Sequence, residues 1–187
     1  DEYFQDVKTF DGSKLQFVFH VHEAYYLEGI RHLKIIEFDG KGKFRILSQM
    51  KTGADEIGYS EPWAVHDKTI FVYNNDRVNI SAYNIEFQPI QHPFCDIFNQ
   101  IKDFRCLDQL IIHPFLPFAI LVETDRDARN NYKVWLVRWT HPDKEKRIVE
   151  LLGQAISILP GYSNVKDLIC YDFQFSPDGS WLVFRDE

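Results

Sequence analysis

Large apolar residues fall at every second position in several short stretches of this chain, and turn-forming residues separate the stretches. After Asp11-Gly12-Ser13 come Leu15, Phe17 and Phe19. After Asp178-Gly179-Ser180 come Leu182 and Phe184, with Trp181 and Val183 between. A period of two is that of a β-strand. An Asp-Gly pair between alternating runs predicts a tight hairpin, because glycine adopts positive φ without strain. Both stretches read Asp-Gly-Ser-x-Leu-x-Phe, and strands with apolar residues on both faces are expected to be buried on both.

Two less regular stretches share the layout. EPWAVHDKTIFVYNND (61–76) has a strand, a His-Asp-Lys turn and the strand Ile70 to Tyr73. LDQLIIHPFLPFAILVETD (107–125) has Pro114 and Pro117 holding its turn, with His113-Pro114 standing where Ser176-Pro177 stands in the last copy. The turn markers recur at intervals of roughly 45–65 residues, longer than the ~40–45 of a minimal four-stranded propeller blade. The segments between also alternate. RHLKIIEFDGKGKFRILSQM (31–50), RVNISAYNIEFQPIQ (77–91) and NYKVWLVRWTHPDKEKRIVELL (131–152) each predict a further pair of strands.

The whole reads as an all-β chain of four-stranded antiparallel units, strands a to d, which must stack to bury both faces. Three units and the first two strands of a fourth are expected, at about 1–50, 57–91, 107–152 and 168–187, within one β-propeller domain. One segment departs from this period. In PFCDIFNQIKDFRC the apolar residues Phe94, Ile97, Phe98, Ile101 and Phe104 form a helical stripe behind Pro93, which predicts an inserted amphipathic helix over 93–105 that caps strand edges or docks a partner.

At the last hairpin a family is recognisable. FQFSPDGSWLVFRD resembles the WD40-like repeat of TolB-type propellers, of tricorn protease and of the prolyl oligopeptidase propeller domains, through Phe173, Phe175, Ser176, Pro177, Asp178, Gly179, Leu182 and Phe184. LVETDRDARNNYKVWLV (121–137) is similar to the family's continuation through an Asp-Arg-Asp loop into strand c. The first unit keeps Asp11-Gly12 but has Thr9-Phe10 in place of Ser-Pro. The Gly-His and Trp-Asp pairs of true WD40 repeats are absent, since Thr140 follows Trp139. The resemblance implies a propeller, and the half-built last blade is expected to be completed by further chain, another subunit or the N-terminal strand. The Ser-Pro-Asp-Gly turn itself is structural.

Composition narrows the classes of function. Aromatic residues are 16% of the chain, including 16 Phe and 9 Tyr, which favours sheet. With 21 Lys and Arg against 28 Asp and Glu, the net charge of −7 argues against nucleic acid and anionic membranes as partners. No apolar run is long enough for a membrane span, and the first residues do not form a signal peptide. A soluble cytoplasmic or periplasmic protein fits these features. Three cysteines without CxxC spacing read as buried free thiols, a Cys95–Cys106 bridge being the alternative.

Candidate chemistry is sparse. Gly-x-Ser-x-Gly does not occur; GYSEP (58–62) and GYSNV (161–165) lack the second glycine. His20 and His22, two apart on a strand, have the spacing of two metal ligands, with His32 approaching from strand c, but strand-end histidines are ordinarily solvated or hydrogen-bonded and no metal is expected. DRDARN (125–130) begins like a calcium loop but lacks its glycine and its terminal glutamate. Glu61, Asp67 and Asp108 are candidate channel-lining acids, and the charges of HPDKEKR (141–147) read as a solvated hairpin. No cofactor is expected. The leading expectation is a non-catalytic scaffold that binds a protein or peptide through loops, with Arg126, Asp127, Arg129 and Tyr162 as contact residues. The rivals are a gating propeller of a serine peptidase whose catalytic domain lies outside the chain, and a metal-dependent lactonase-type propeller.

Overall fold

The computed structural model describes residues 2–25, 28–55, 62–74, 77–101, 104, 106–124, 132–150 and 172–185. Strands β1 (Glu2–Asp11), β2 (Gln16–Tyr25), β3 (Glu28–Phe38) and β4 (Phe44–Asp55) form one antiparallel sheet in chain order. A second sheet follows as β5 (Trp63–His66), β6 (Thr69–Asn74), β7 (Asn79–Tyr83) and β8 (Pro89–Ile90). A third is β9 (Leu107–Ile112), β10 (Phe118–Thr124), β11 (Tyr132–Arg138) and β12 (Ile148–Glu150), and β13 (Asp172–Phe175) pairs with β14 (Leu182–Arg185). The fold is all-β, built of up-and-down meanders that follow the alternation in the sequence. The chain divides into two compact units, residues 1–72 with 81–90, and residues 73–80 with 91–187.

In the first unit, Phe10, Val18, Leu33, Ile35, Trp63, Ile70, Val72 and Phe87 form one apolar cluster. Each buried aliphatic or aromatic side chain of this kind contributes about 1.5–3 kcal/mol. Strand β2 departs from expectation: Gln16, Val18, His20 and Val21 are buried, while Leu15 is exposed and Phe17 and Phe19 are half-buried. The hairpin geometry explains this. Asp11 pairs with Gln16, and the residues between form a 3-10 turn closed by Leu15 in the left-handed conformation at φ 52. Leu15 therefore belongs to the turn. Phe17 and Phe19 meet Phe38 edge-on and tilted, on the less buried face. The next hairpin turns in two residues, Asp67 and Lys68, both at positive φ, between the paired His66 and Thr69.

In the second unit β10 is buried on both faces from Ala119 to Glu123, as a strand between covered faces requires. The predicted helix is shorter than its stripe: α1 spans Pro93–Phe98 and ends at Asn99. Asparagine is a weak helix former, and the Gln100 side chain takes up the Asp96 carbonyl at 2.9 Å. Phe94, Ile97 and Phe98 are buried from the helix, and Phe104 reaches Phe98 from beyond it, ring centroids 4.9 Å apart. Phe94 packs on Trp139 at 5.4 Å.

Candidate functional site

The four a–b hairpins carry the distinctive local chemistry. In the last one Gly179 takes φ +70, Asp178 Oδ1 accepts the Ser180 N–H at 3.0 Å, and the Ser176 hydroxyl donates to Asp178 at 2.6 Å while accepting the Trp181 N–H at 3.0 Å. These hydrogen bonds hold the Asp178 carboxyl below its ordinary range. The His113 turn is its counterpart. The His113 N–H donates to the Phe118 carbonyl and the Ser176 N–H to that of Trp181, so both tips close across the same span. Asp11 pairs with Gln16 over the same span in the first unit. By position in the hairpin, then, Asp11 corresponds to His113 and Ser176, and not to Asp178.

The residue that opens each of the first and third turns reaches the next hairpin. Within the first unit, Lys68 Nζ donates to Asp11 Oδ2 at 2.8 Å, and the Ser13 hydroxyl and N–H donate to the same carboxylate. Bonding to Lys68 first, then to Ser13, lowers the Asp11 pKa to about 2. Lys8 Nζ donates to the Trp63 carbonyl at 3.0 Å and sits 4.8 Å above the indole; its burial pulls the ammonium pKa down. Within the second unit, His113 Nε2 lies 3.1 Å from the Gly179 carbonyl oxygen, and the His113 ring packs on Phe118 and Phe175 at 4.6 and 4.9 Å. First strands of consecutive sheets thus meet in both units, β1 with β5 and β9 with β13.

These tips also expose apolar side chains. Phe115 is 67% exposed and Leu116 52% at the third turn, and Trp181 is 73% exposed at the fourth. The two tips abut, since a Cβ on Gly179 would lie 3.3 Å from the Pro114 ring. Sequence reasoning did not single out these three residues. The available signal was an apolar Phe-Leu pair between Pro114 and Pro117, where a turn is ordinarily polar.

Of the sequence candidates, His20 is buried beside Trp63, ring centroids 6.3 Å apart. His22 lies two positions on, across from Arg31, whereas His32 lies across from Val21. The register therefore puts His32 on the opposite face of the sheet from His20 and His22, and the three do not share a face. Among the described residues no three His, Cys, Asp or Glu side chains gather as a metal site. Asp67 occupies a turn tip and Asp108 an exposed position on β9. Arg126, Asp127, Arg129, Tyr162 and Glu61 lie outside the described residues, as do the DRDARN loop and GYSNV. Cys95 and Cys106 are free thiols, and burial followed by the charge of Asp96 raises the Cys95 pKa to about 12. No helix among the described residues is long and apolar enough to cross a membrane. No protein-family model, curated protein or solved structure matches the chain.

Proposed function

We propose that the chain is a WD40-like β-propeller scaffold without catalytic machinery of its own, and that its a–b turns bind a protein or peptide. The observation that carries the reading is the paired exposure of Phe115, Leu116 and Trp181 on abutting turns of consecutive sheets. Large apolar side chains grouped on a surface mark interaction sites, and tryptophan and other aromatics anchor them. The blade reading is supported by the repeated meeting of first strands through Lys8 with Trp63 and through His113 with Gly179 and Phe175. Rigid blades present their turns as a fixed array, so recognition costs little ordering. Asp178 stands ionised in the fourth turn and the chain carries a net charge of −7. The ligand chemistry that fits is an apolar anchor flanked by basic residues.

A displayed peptide library selected against the whole chain tests this. The selected peptides are expected to carry an apolar anchor beside Lys or Arg, and to bind a Phe115→Ala/Leu116→Ala/Trp181→Ala variant at least tenfold more weakly, with an unchanged circular dichroism spectrum. Equal binding to both proteins, or no selectable ligand, rejects the turn surface as the binding site.

A further inference from the structure

The chain contains three His-Pro dipeptides, at 92–93, 113–114 and 141–142, all in the second unit. In each, the histidine Nδ1 accepts the backbone N–H two residues on: Phe94 at 3.2 Å, Phe115 at 3.1 Å and Asp143 at 3.2 Å. Proline explains the recurrence. It fixes its own φ and drives the preceding residue extended, so the imidazole folds over the next free amide. A ring nitrogen that accepts a hydrogen bond carries no proton, so these turns are built on neutral imidazole.

His113 is the most committed of the three. Its Nδ1 also accepts the Leu116 N–H at 2.9 Å, which leaves Nε2 as the protonated nitrogen, donating to the Gly179 carbonyl at 3.1 Å. His141 has an alternative, because its Nδ1 also lies 3.1 Å from the Asp143 carbonyl, a partner for the protonated ring. The His113 ring is 5% exposed and packed between Phe118 and Phe175. Its own turn carries no charge; the opposing turn carries Asp178, bound to Ser176 and Ser180. Arg138 lies across from Phe118 on β11. Asp108 and Glu123 lie at the far end of the β9–β10 pair, and Asp172 and Arg185 at the far end of the β13–β14 pair.

We propose that His113 is a proton-sensitive clasp between the β9–β10 turn and the β13–β14 hairpin. The neutral ring holds both; the imidazolium presents an N–H to the Phe115 and Leu116 amides, loses both bonds, and frees the turn on which the Gly179 contact depends. The device rests on geometry and is independent of the binding reading.

Imidazole nitrogen NMR and amide hydrogen exchange on the whole chain, from about pH 8 to about pH 5 where histidine changes charge, test the clasp. At the upper limit Nδ1 of His113 is expected to be unprotonated. As the ring takes up its proton, protection at Phe115 and Leu116, corrected for intrinsic exchange, falls by up to roughly tenfold per pH unit, the slope of one proton. Amides at the centre of β10–β11, such as Leu121 and Trp135, hold theirs. His113→Asn, whose amide oxygen accepts at any pH, gives a flat profile at Phe115 and Leu116. A proton on Nδ1 at the upper limit, wild-type protection unchanged to the lower limit, or an equal fall in the asparagine variant each overturns the clasp, and the first two need no variant to fold.

Discussion

Replacing Gly179 by alanine probes the joint between consecutive hairpins directly. Two costs coincide there. The backbone is at φ +70, where an L side chain costs about 1–2 kcal/mol. The added methyl would also stand 2.5 Å from His113 Cε1 and 2.7 Å from Nε2, so the ring must move. Moving it gives up the bond to the Gly179 carbonyl, about 0.5–1.5 kcal/mol, and part of its contacts with Phe118 and Phe175, about 0.5–1.5 kcal/mol each. The expected destabilisation of the hairpin is therefore about 3–5 kcal/mol. Gly42 supplies the control: its φ is +86 and nothing lies within 4 Å of a Cβ built there. Gly42→Ala should cost its own turn only the backbone part, about 1–2 kcal/mol.

The assay is native-state hydrogen exchange, which reads local opening without requiring that the sheets unfold together. Opening is followed at β13–β14 for the Gly179 variant and at β3–β4 for the Gly42 variant. A cycle with His113→Ala isolates the contact, because removing the ring should return the cost of Gly179→Ala to about 1–2 kcal/mol. If the two glycine variants differ by less than about 0.5 kcal/mol, the close approach of His113 to Gly179 is not a constraint on the fold and the argument from it fails.

Asp11 ionises at about 2 in the folded chain, below its unfolded value near 3.9, so its interactions stabilise the first unit above about pH 4 and that contribution fades as pH falls toward about 2. Asp11→Asn should remove this part of the acid sensitivity, and acid titrations of the two proteins that superimpose across that window would contradict the assignment. Cys95, raised to about 12, should resist iodoacetamide in the native chain at about pH 8, and half-buried Cys106 should be labelled first by mass spectrometry. Phe94 is fully buried against Trp139, so Phe94→Ala should cost about 3–5 kcal/mol in urea unfolding, and a loss below about 1 kcal/mol would show that this contact does not secure α1.

Strands were legible in the sequence because their period is a local property. The continuous apolar runs at Ile70–Tyr73 and Ala119–Val122 are equally local, and both became buried b strands. Turn class was less legible. Asp-Gly-Ser occurs at Asp11 and at Asp178, yet Asp11 opens its turn with Leu15 in the left-handed position, while Asp178 is midway through its own and Gly179 takes that position. What differs is where strand pairing stops, and this depends on the partner strand. The same limit governed the histidines: spacing along β2 brings His20 and His22 to one face, but only the register with β3 reveals that His32 is on the other. Phe115, Leu116 and Trp181 were visible as apolar residues near turns, and only the closed hairpins show them pointing outward.

The two units meet acid with different turn chemistry. Asp11 and His113 occupy one position in their hairpins, and each reaches the following turn, to Lys68 in one unit and to Gly179 in the other. Their requirements are chemically opposite. The ion pair of Asp11 with Lys68 requires an ionised carboxylate, and the imidazole here caps only when neutral. A falling pH thus removes the working form of both, Asp11 losing its charge only as pH nears about 2. One hairpin position filled by a carboxylate in one unit and an imidazole in the other thereby ties consecutive sheets by two different chemistries. Chemistry at the turn, and not the shared sheet architecture, is what distinguishes the two units.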